Sequence, residues 1–171
     1  MVIWFYSKTP EYGWLSNFSV HPFVLDGERW ASVEHYYQAQ KYAGSPAVVD
    51  LIRDAASPSQ ARKAGQDPSL RPRVDWGTDK VDVMRQAIGA KFAQHVELQG
   101  MLIATGDDEL VHESDADDYW GRLRSGAGDN RLGLLLMQLR AELRGASTTA
   151  GPSTEPDAAP ASKSIDFEPK R

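Results

Sequence analysis

Apolar positions recur along the chain in periods that change from place to place, and each change marks an element. Residues 3–6 form a short apolar and aromatic run, as a buried strand would. Val24-Leu25 and Arg29-Trp30 flank Asp26-Gly27, a strong two-residue hairpin signal. A small N-terminal β element is therefore expected, after which the period lengthens to that of helices. Ser32 is a good N-cap for a helix reaching about Ala43, and Ser45-Pro46 opens a second. Ser57-Pro58-Ser59-Gln60 joins a capping box to proline at the first helical position and starts a third. Val81, Met84, Ile88 and Phe92 then share one face, predicting an amphipathic helix over 79–94. Shorter helices are expected over 97–104 and 132–143, with a strand at Leu110-Val111. The expected fold class is α+β, a single helix-rich domain over 1–145. From Gly145 the composition turns to Ala, Ser, Thr, Pro and Gly, with no large apolar residue before Ile165 and Phe167, so 146–171 is expected to be a disordered tail.

At 171 residues the chain is long enough to bury a core without disulfides or a structural metal. It contains no cysteine, which removes thiolate catalysis, iron–sulfur clusters and cysteine-ligated zinc together and favours the cytoplasm. No run approaches the roughly 20 apolar residues of a membrane span, and the first residues lack a signal-peptide pattern, so neither insertion nor export is expected. The formal charge of −5 argues against an electrostatic clamp on long nucleic acid but leaves a nucleotide-sized ligand open.

Three groups of residues carry candidate chemistry. Glu34, Gln38 and Lys41 fall at i, i+4 and i+7 on the Ser32 helix, so an acid, an amide and an amine line up over two turns. The ordinary fate of such a stripe is a solvated face. Its surroundings argue otherwise: the helix is dense in Tyr and Gln and follows the aromatic loop Tyr12-Gly13-Trp14-Leu15-Ser16-Asn17-Phe18. The second group is the glycine-rich run from Trp120 to Asn130, which leads into the last helix. It is either a simple turn or a cradle whose N–H groups hold phosphate beside Arg122, Arg124 or Arg131. The third, Lys80, Asp82 and Arg85, has the spacing of a solvated helix face. His21, His35, His95 and His112 are scattered and form no metal-ligand pair, so neither a metal nor a cofactor is expected. Serine-hydrolase elbow, P-loop and dinucleotide-binding motifs are missing as well.

Taken in order, these segments resemble the NADAR, or YbiA-like, family. The matching stretches are Phe5-Tyr6 with Leu15-Ser16-Asn17-Phe18, then Trp30 and the block from Val33-Glu34-His35 to Gln40-Lys41. Lys80 with Val83-Met84, Ala90-Lys91-Phe92 and Thr105-Gly106 follow. Ser114, Asp117, Trp120-Gly121, Gly126, Gly128, Asn130, Leu132-Gly133 and Leu136-Met137 complete the set. The resemblance spans roughly residues 3–140 and has no counterpart for the tail. It implies an N-glycosidase acting on a nucleotide-like substrate, with removal of ADP-ribose from guanine, as nucleoside or in DNA, as the first expectation. Phosphoribosylated pyrimidinone intermediates of riboflavin synthesis are the alternative, sharing a 2-amino-4-oxopyrimidine unit joined through nitrogen to C1 of a phosphorylated ribose. The rival from another class is a non-catalytic ADP-ribose sensor, against which the presence of both Glu34 and Lys41 weighs.

The resemblance further implies that Lys41 forms a Schiff base with the opened sugar. Such an amine must be neutral, through burial or a nearby cation such as Lys80 or an arginine. Glu34 then serves as proton shuttle, the alternative being a two-carboxylate mechanism pairing Glu34 with Asp82 or Asp117. Asn17 is expected at the base edge or ribose, Trp14 or Trp120 against the ring, and Gly126, Gly128 and Asn130 at phosphate. Gln38, Lys80, Arg85 and Asp117 complete the expected binding set. A basic patch of Arg53, Arg62, Lys63, Arg71 and Arg73 is available to offset the acidic charge if DNA is bound.

Overall fold

The structure, a computed structural model, describes residues 1–149. In chain order it comprises β1 (Val2–Phe5), a hairpin of β2 (Phe23–Leu25) and β3 (Glu28–Trp30), and α1 (Val33–Gln40). There follow α2 (Pro46–Arg53), α3 (Pro58–Gly65), α4 (Trp76–Gln94), α5 (Val96–Ala104), β4 (Glu109–His112) and α6 (Arg131–Thr149). The class is α+β, as the pattern predicts.

The hairpin closes through Asp26 and Gly27, both at positive φ (55° and 78°), as a two-residue turn matching the strand twist requires. The strands do not, however, form one N-terminal element. β1 pairs in parallel with β4, Val2 opposite Glu109 and Phe5 opposite His112, in a separate two-stranded sheet. A parallel partner must come from beyond a long crossover, and here α1 to α5 are that crossover.

α1 is buried from Val33 to Ala39, because α2, α3 and α4 all pack against it. Its start is locked by Ser32, whose Oγ accepts the His35 N–H and donates to His35 Nδ1 (2.7 Å), while His35 Nε2 donates to the Ala55 carbonyl (3.1 Å). It ends at Gln40, earlier than expected, leaving Lys41 as its C-cap. α4 begins at Trp76, three residues ahead of the expected start, and buries Met84, Ile88 and Phe92 on the face that periodicity assigns. α6 lies on β4, with Gly133 against the Leu110 carbonyl, where a Cβ could not fit. Its helix runs to Thr149, and the expected tail beyond that residue lies outside the described residues. Among the described residues no helix is long and apolar enough to cross a membrane.

Candidate active site

Two anchors fix the start of α1 over the loop that precedes the hairpin. The Glu34 N–H donates to the Asn17 carbonyl (3.1 Å). The loop itself is held by Lys91, fully buried on α4, whose Nζ donates to the Trp14 carbonyl (2.6 Å), the Ser16 carbonyl (3.3 Å) and Ser19 Oγ (2.6 Å). Burial pushes the Lys91 ammonium down to about 7, while the three oxygens around it favour the charged form. This arrangement holds Asn17 at the wall of a cleft of about 380 Å³, its amide nitrogen 3.4 Å from Met84 Sδ.

Glu34, Gln38 and Lys41 line that cleft together. Glu34 is 6% exposed, and burial raises the pKa of its carboxyl. The Gln38 amide, donating to Glu34 Oε1 at 2.7 Å, opposes the rise, as do Arg62 and Lys41. Lys41 is shifted the other way: burial lowers its pKa, Glu34 works against this and Arg62 adds to it. Its Nζ donates to the Gly65 carbonyl at 3.3 Å, an oxygen that also accepts the Tyr42 hydroxyl at 3.0 Å. Gly65 has a second part in the site, since a Cβ there would strike the Gln38 side chain. Gln38 Oε1 is buried and finds no hydrogen-bond partner among the described residues. The last turn of α3 thus touches the stripe at Gln38 and at Lys41.

The facing wall comes from β4 and the chain after it. Asp117 accepts the N–H groups of Tyr119 (3.1 Å) and Trp120 (2.9 Å), and Ser114 Oγ accepts that of Asp117 (2.9 Å). The Trp120 indole donates to the Tyr37 hydroxyl at 3.1 Å, and the two rings meet edge to face. His112 also lines the cleft; burial lowers its pKa, keeping the imidazole neutral. The cleft therefore juxtaposes a carboxyl biased toward its acid form and an amine biased toward its free base. A proton donor and a nucleophile at neutral pH require those two states.

The structure brings Asn17, Glu34, Gln38, Lys41, Asp117 and Trp120 to this cleft and leaves the other expected residues outside it. Trp14 lies edge-on to Phe92 and donates to the Glu11 carbonyl, so its ring is packing. Lys80 sits 3.6 Å over the Tyr119 ring, away from Lys41, and the neighbouring cation is Arg62 instead. Arg85 pairs with Asp82 on the outer face of α4, which also removes Asp82 as a carboxylate partner for Glu34.

The glycine-rich segment over 121–130 lines no part of the cleft. Its N–H groups at Leu123, Gly126, Asp129 and Asn130 donate to backbone carbonyls, and Gly128 is needed for a close approach to Gly121. Asn130, fully buried at φ 51°, accepts from the His112 N–H (2.9 Å) and donates to the Leu110 carbonyl (2.9 Å), clasping β4. Arg62, Gly65 and Lys91 are what the sequence reading missed as site-forming residues. Lys91 had a signal, since it falls in the apolar stripe with Ala87 and Ile88; Arg62 and Gly65 had none beyond a helix end.

Fold and site together define a mixed α+β domain with a lysine–carboxyl cleft, a class that comparison with known proteins makes specific. A model of the NADAR domain matches residues 4–144, and the chain belongs to that family. It is 44% identical over 142 residues to the N-glycosidase YbiA of Escherichia coli K12, covering 83% of this chain and 88% of the relative. An N-glycosidase of Nostoc punctiforme is 41% identical over 153 residues, 88% of this chain and 98% of its own. A chloroplastic riboflavin biosynthesis protein of Zea mays is 40% identical over 84% of this chain but only 25% of that protein. The solved structure of E. coli YbiA superposes with a TM-score of 0.82 at 41% identity, covering 91% of this chain and 92% of that one.

Proposed function

We propose that the cleft hydrolyses the bond between C1 of a phosphorylated ribose and the amino nitrogen of a guanine-like base. That the chain is a hydrolase of N-glycosyl bonds follows from its family and from relatives so named at 41% and 44% identity. The observation that carries the finer reading is the opposite shift of Glu34 and Lys41 on one wall. The ribose ring oxygen leaves C1 as it takes a proton from Glu34, and the lone pair of the base nitrogen forms an iminium with C1. Neutral Lys41 adds to C1 and gives up a proton; the base nitrogen takes one and departs as a free amine, leaving C1 doubly bonded to Nζ. Water adds to that Schiff base, its proton passing to the Glu34 carboxylate. Nζ then leaves as an amine, and the liberated aldehyde sugar recloses. A two-carboxylate alternative retains Asp117 as the partner of Glu34 in the cleft.

Two substrates carry this bond. The phosphoribosylated pyrimidinone is favoured by the modest cleft, about 380 Å³ and near the lower end for ligand sites. The riboflavin biosynthesis names of relatives from Zea mays and Vibrio vulnificus add weight. ADP-ribosylated guanine, the first expectation from sequence, is supported by a shallow groove between α2 and α3. That groove shares Arg62 and Gln66 with the cleft, giving a longer substrate room to extend. Each compound is incubated with the protein and base release followed by chromatography; release from one identifies it, and release from neither refutes the proposal. Borohydride is expected to trap a sugar adduct on the native chain and none on Lys41→Ala.

A further inference from the structure

The two walls of the cleft differ in what they offer an anion. Glu113, Asp115 and Asp117 line the side that follows β4, and Lys41 and Arg62 line the side made by α1 and α3. Arg62 is exposed at the rim, and among the described residues no carboxylate lies within ion-pair distance of it. Its guanidinium lies over the Phe18 ring, 6.0 Å from the centroid. The arginines of the glycine-rich segment are occupied: Arg122 by Glu109 (2.8 Å), Arg124 by both oxygens of Glu113 (2.6 and 2.7 Å), Arg131 by Asp129 (3.5 Å).

We propose that Arg62 recognises the phosphate on the substrate's ribose, and that the loop over 121–130 does not. The inference rests on the reading of the cleft as a site for phosphorylated ribosides. An anion placed against the facing wall would meet the carboxylates of Asp115 and Asp117, whereas at Arg62 it meets a planar donor fork suited to two phosphate oxygens at once. No existing ion pair has to break to receive it. The spacing also fits. Arg62 precedes Gly65, whose carbonyl holds the Lys41 amine, by three residues, or about 4.5 Å along the helix axis. With C1 at Nζ, the length of a ribose carries its phosphate-bearing carbon toward Arg62. Phe18 beneath the guanidinium restricts its motion before the ligand arrives, and Gln66, on the same rim, offers an amide donor. The base is then directed toward the carboxylates opposite, which accept from its N–H groups.

The test measures binding without turnover. Ribose 5-phosphate and ribose are titrated calorimetrically into the full chain, into Arg62→Gln and into Arg124→Gln, with thermal unfolding run on each. The native chain is expected to prefer the phosphorylated sugar. Arg62→Gln should lose about 10- to 100-fold in affinity for ribose 5-phosphate, with affinity for ribose unchanged, and Arg124→Gln should retain the preference. A native chain without the preference, an Arg62→Gln variant that keeps it, or an Arg124→Gln variant that alone loses it would each overturn the assignment. If Arg62 carries the preference but the native chain releases base from neither substrate, the subsite stands and the catalytic reading falls.

Discussion

On the α1–α3 wall of the cleft, groups are left short of partners. Among the described residues Glu34 receives one side-chain hydrogen bond, Lys41 makes one long bond, Gln38 Oε1 makes none and Arg62 meets no carboxylate. Across the cleft, the side chains that shape the chain after β4 are paired. Arg124 grips Glu113 with two nitrogens, Asp117 accepts two backbone N–H groups, and both ends of the Asn130 amide are used. Leaving Glu34, Gln38 and Lys41, which are buried or half-buried, short of partners costs stability, so it marks groups that must exchange protons or accept a ligand. Full pairing marks a frame. The first wall is thereby assigned to proton exchange and attack at C1, and the second to holding the frame against which the base lies, and substitutions on each wall test the division.

The largest effect on catalysis is expected at Lys41. Lys41→Ala removes the nucleophile and should lower kcat by about 10³-fold or more, with secondary structure by circular dichroism unchanged. A smaller loss would move the covalent role to another group.

Glu34→Gln should lower kcat by about 10²- to 10³-fold and reshape the pH profile. In the active enzyme Glu34 and Lys41 hold one proton between them. A second proton is gained on the acid limb, and the shared one is lost on the alkaline limb. Burial raises Glu34 and lowers Lys41, so the native acid limb should lie above the ordinary carboxylate range and the alkaline limb below the ordinary lysine range. Glu34→Gln leaves no acid to be lost at high pH, so the alkaline limb should disappear, and the residual activity should rise with pH as Lys41 loses the proton that blocks its attack. The substitution also removes the charge that props up Lys41, so that rise should lie below the ordinary lysine range. An alkaline limb that survives the substitution would assign it to another acid, with Asp117 the remaining carboxyl partner in the cleft.

The α1 wall was legible because it is local: one cap at Ser32 and one helical period place Glu34, Gln38 and Lys41 on a common stripe. Periodicity could not tell whether that stripe meets water, since its burial depends on α2, α3 and α4 closing around it. Arg62 and Gly65 were hidden for the same reason: Gly65 meets Lys41 and Gln38 by packing across 24 and 27 residues, and Arg62 reaches the cleft on the same helix. The glycine-rich segment misled in the opposite direction. Its arginines look available in sequence, but Glu109 and Glu113, which occupy two of them, lie on and beside a strand whose partner is β1. The hairpin, by contrast, was legible to the residue, because Asp26 and Gly27 specify its turn without help from elsewhere.

Gly65→Ala tests whether α3 merely packs on α1 or positions its chemistry. The added methyl displaces Gln38, which holds Glu34, at a packing cost of about 1–3 kcal/mol. A misplaced acid should cost roughly 10- to 100-fold in kcat. With the Gln38 donor withdrawn, the opposition to burial weakens and the acid limb should move to higher pH. A protein that loses stability with an unmoved acid limb would reduce Gly65 to packing alone.

On the opposite wall the smallest effect on catalysis is expected from a substitution that damages the fold. Asn130→Ala deprives the His112 N–H and the Leu110 carbonyl of their partners and puts alanine at φ 51°. Two orphaned backbone groups and a left-handed alanine should cost roughly 2–4 kcal/mol. For a domain of this size that lowers Tm by roughly 5–15 °C. Below that transition, kcat and the KM for the phosphorylated substrate should remain within about twofold of the native values, because Asn130 supports β4 and does not reach the cleft. Asn130→Gly relieves the backbone strain but not the lost bonds and should fall between the two in Tm. A rise in KM for the phosphorylated substrate in either variant, without a matching rise for its dephosphorylated form, would return phosphate to this loop and break the division between the walls.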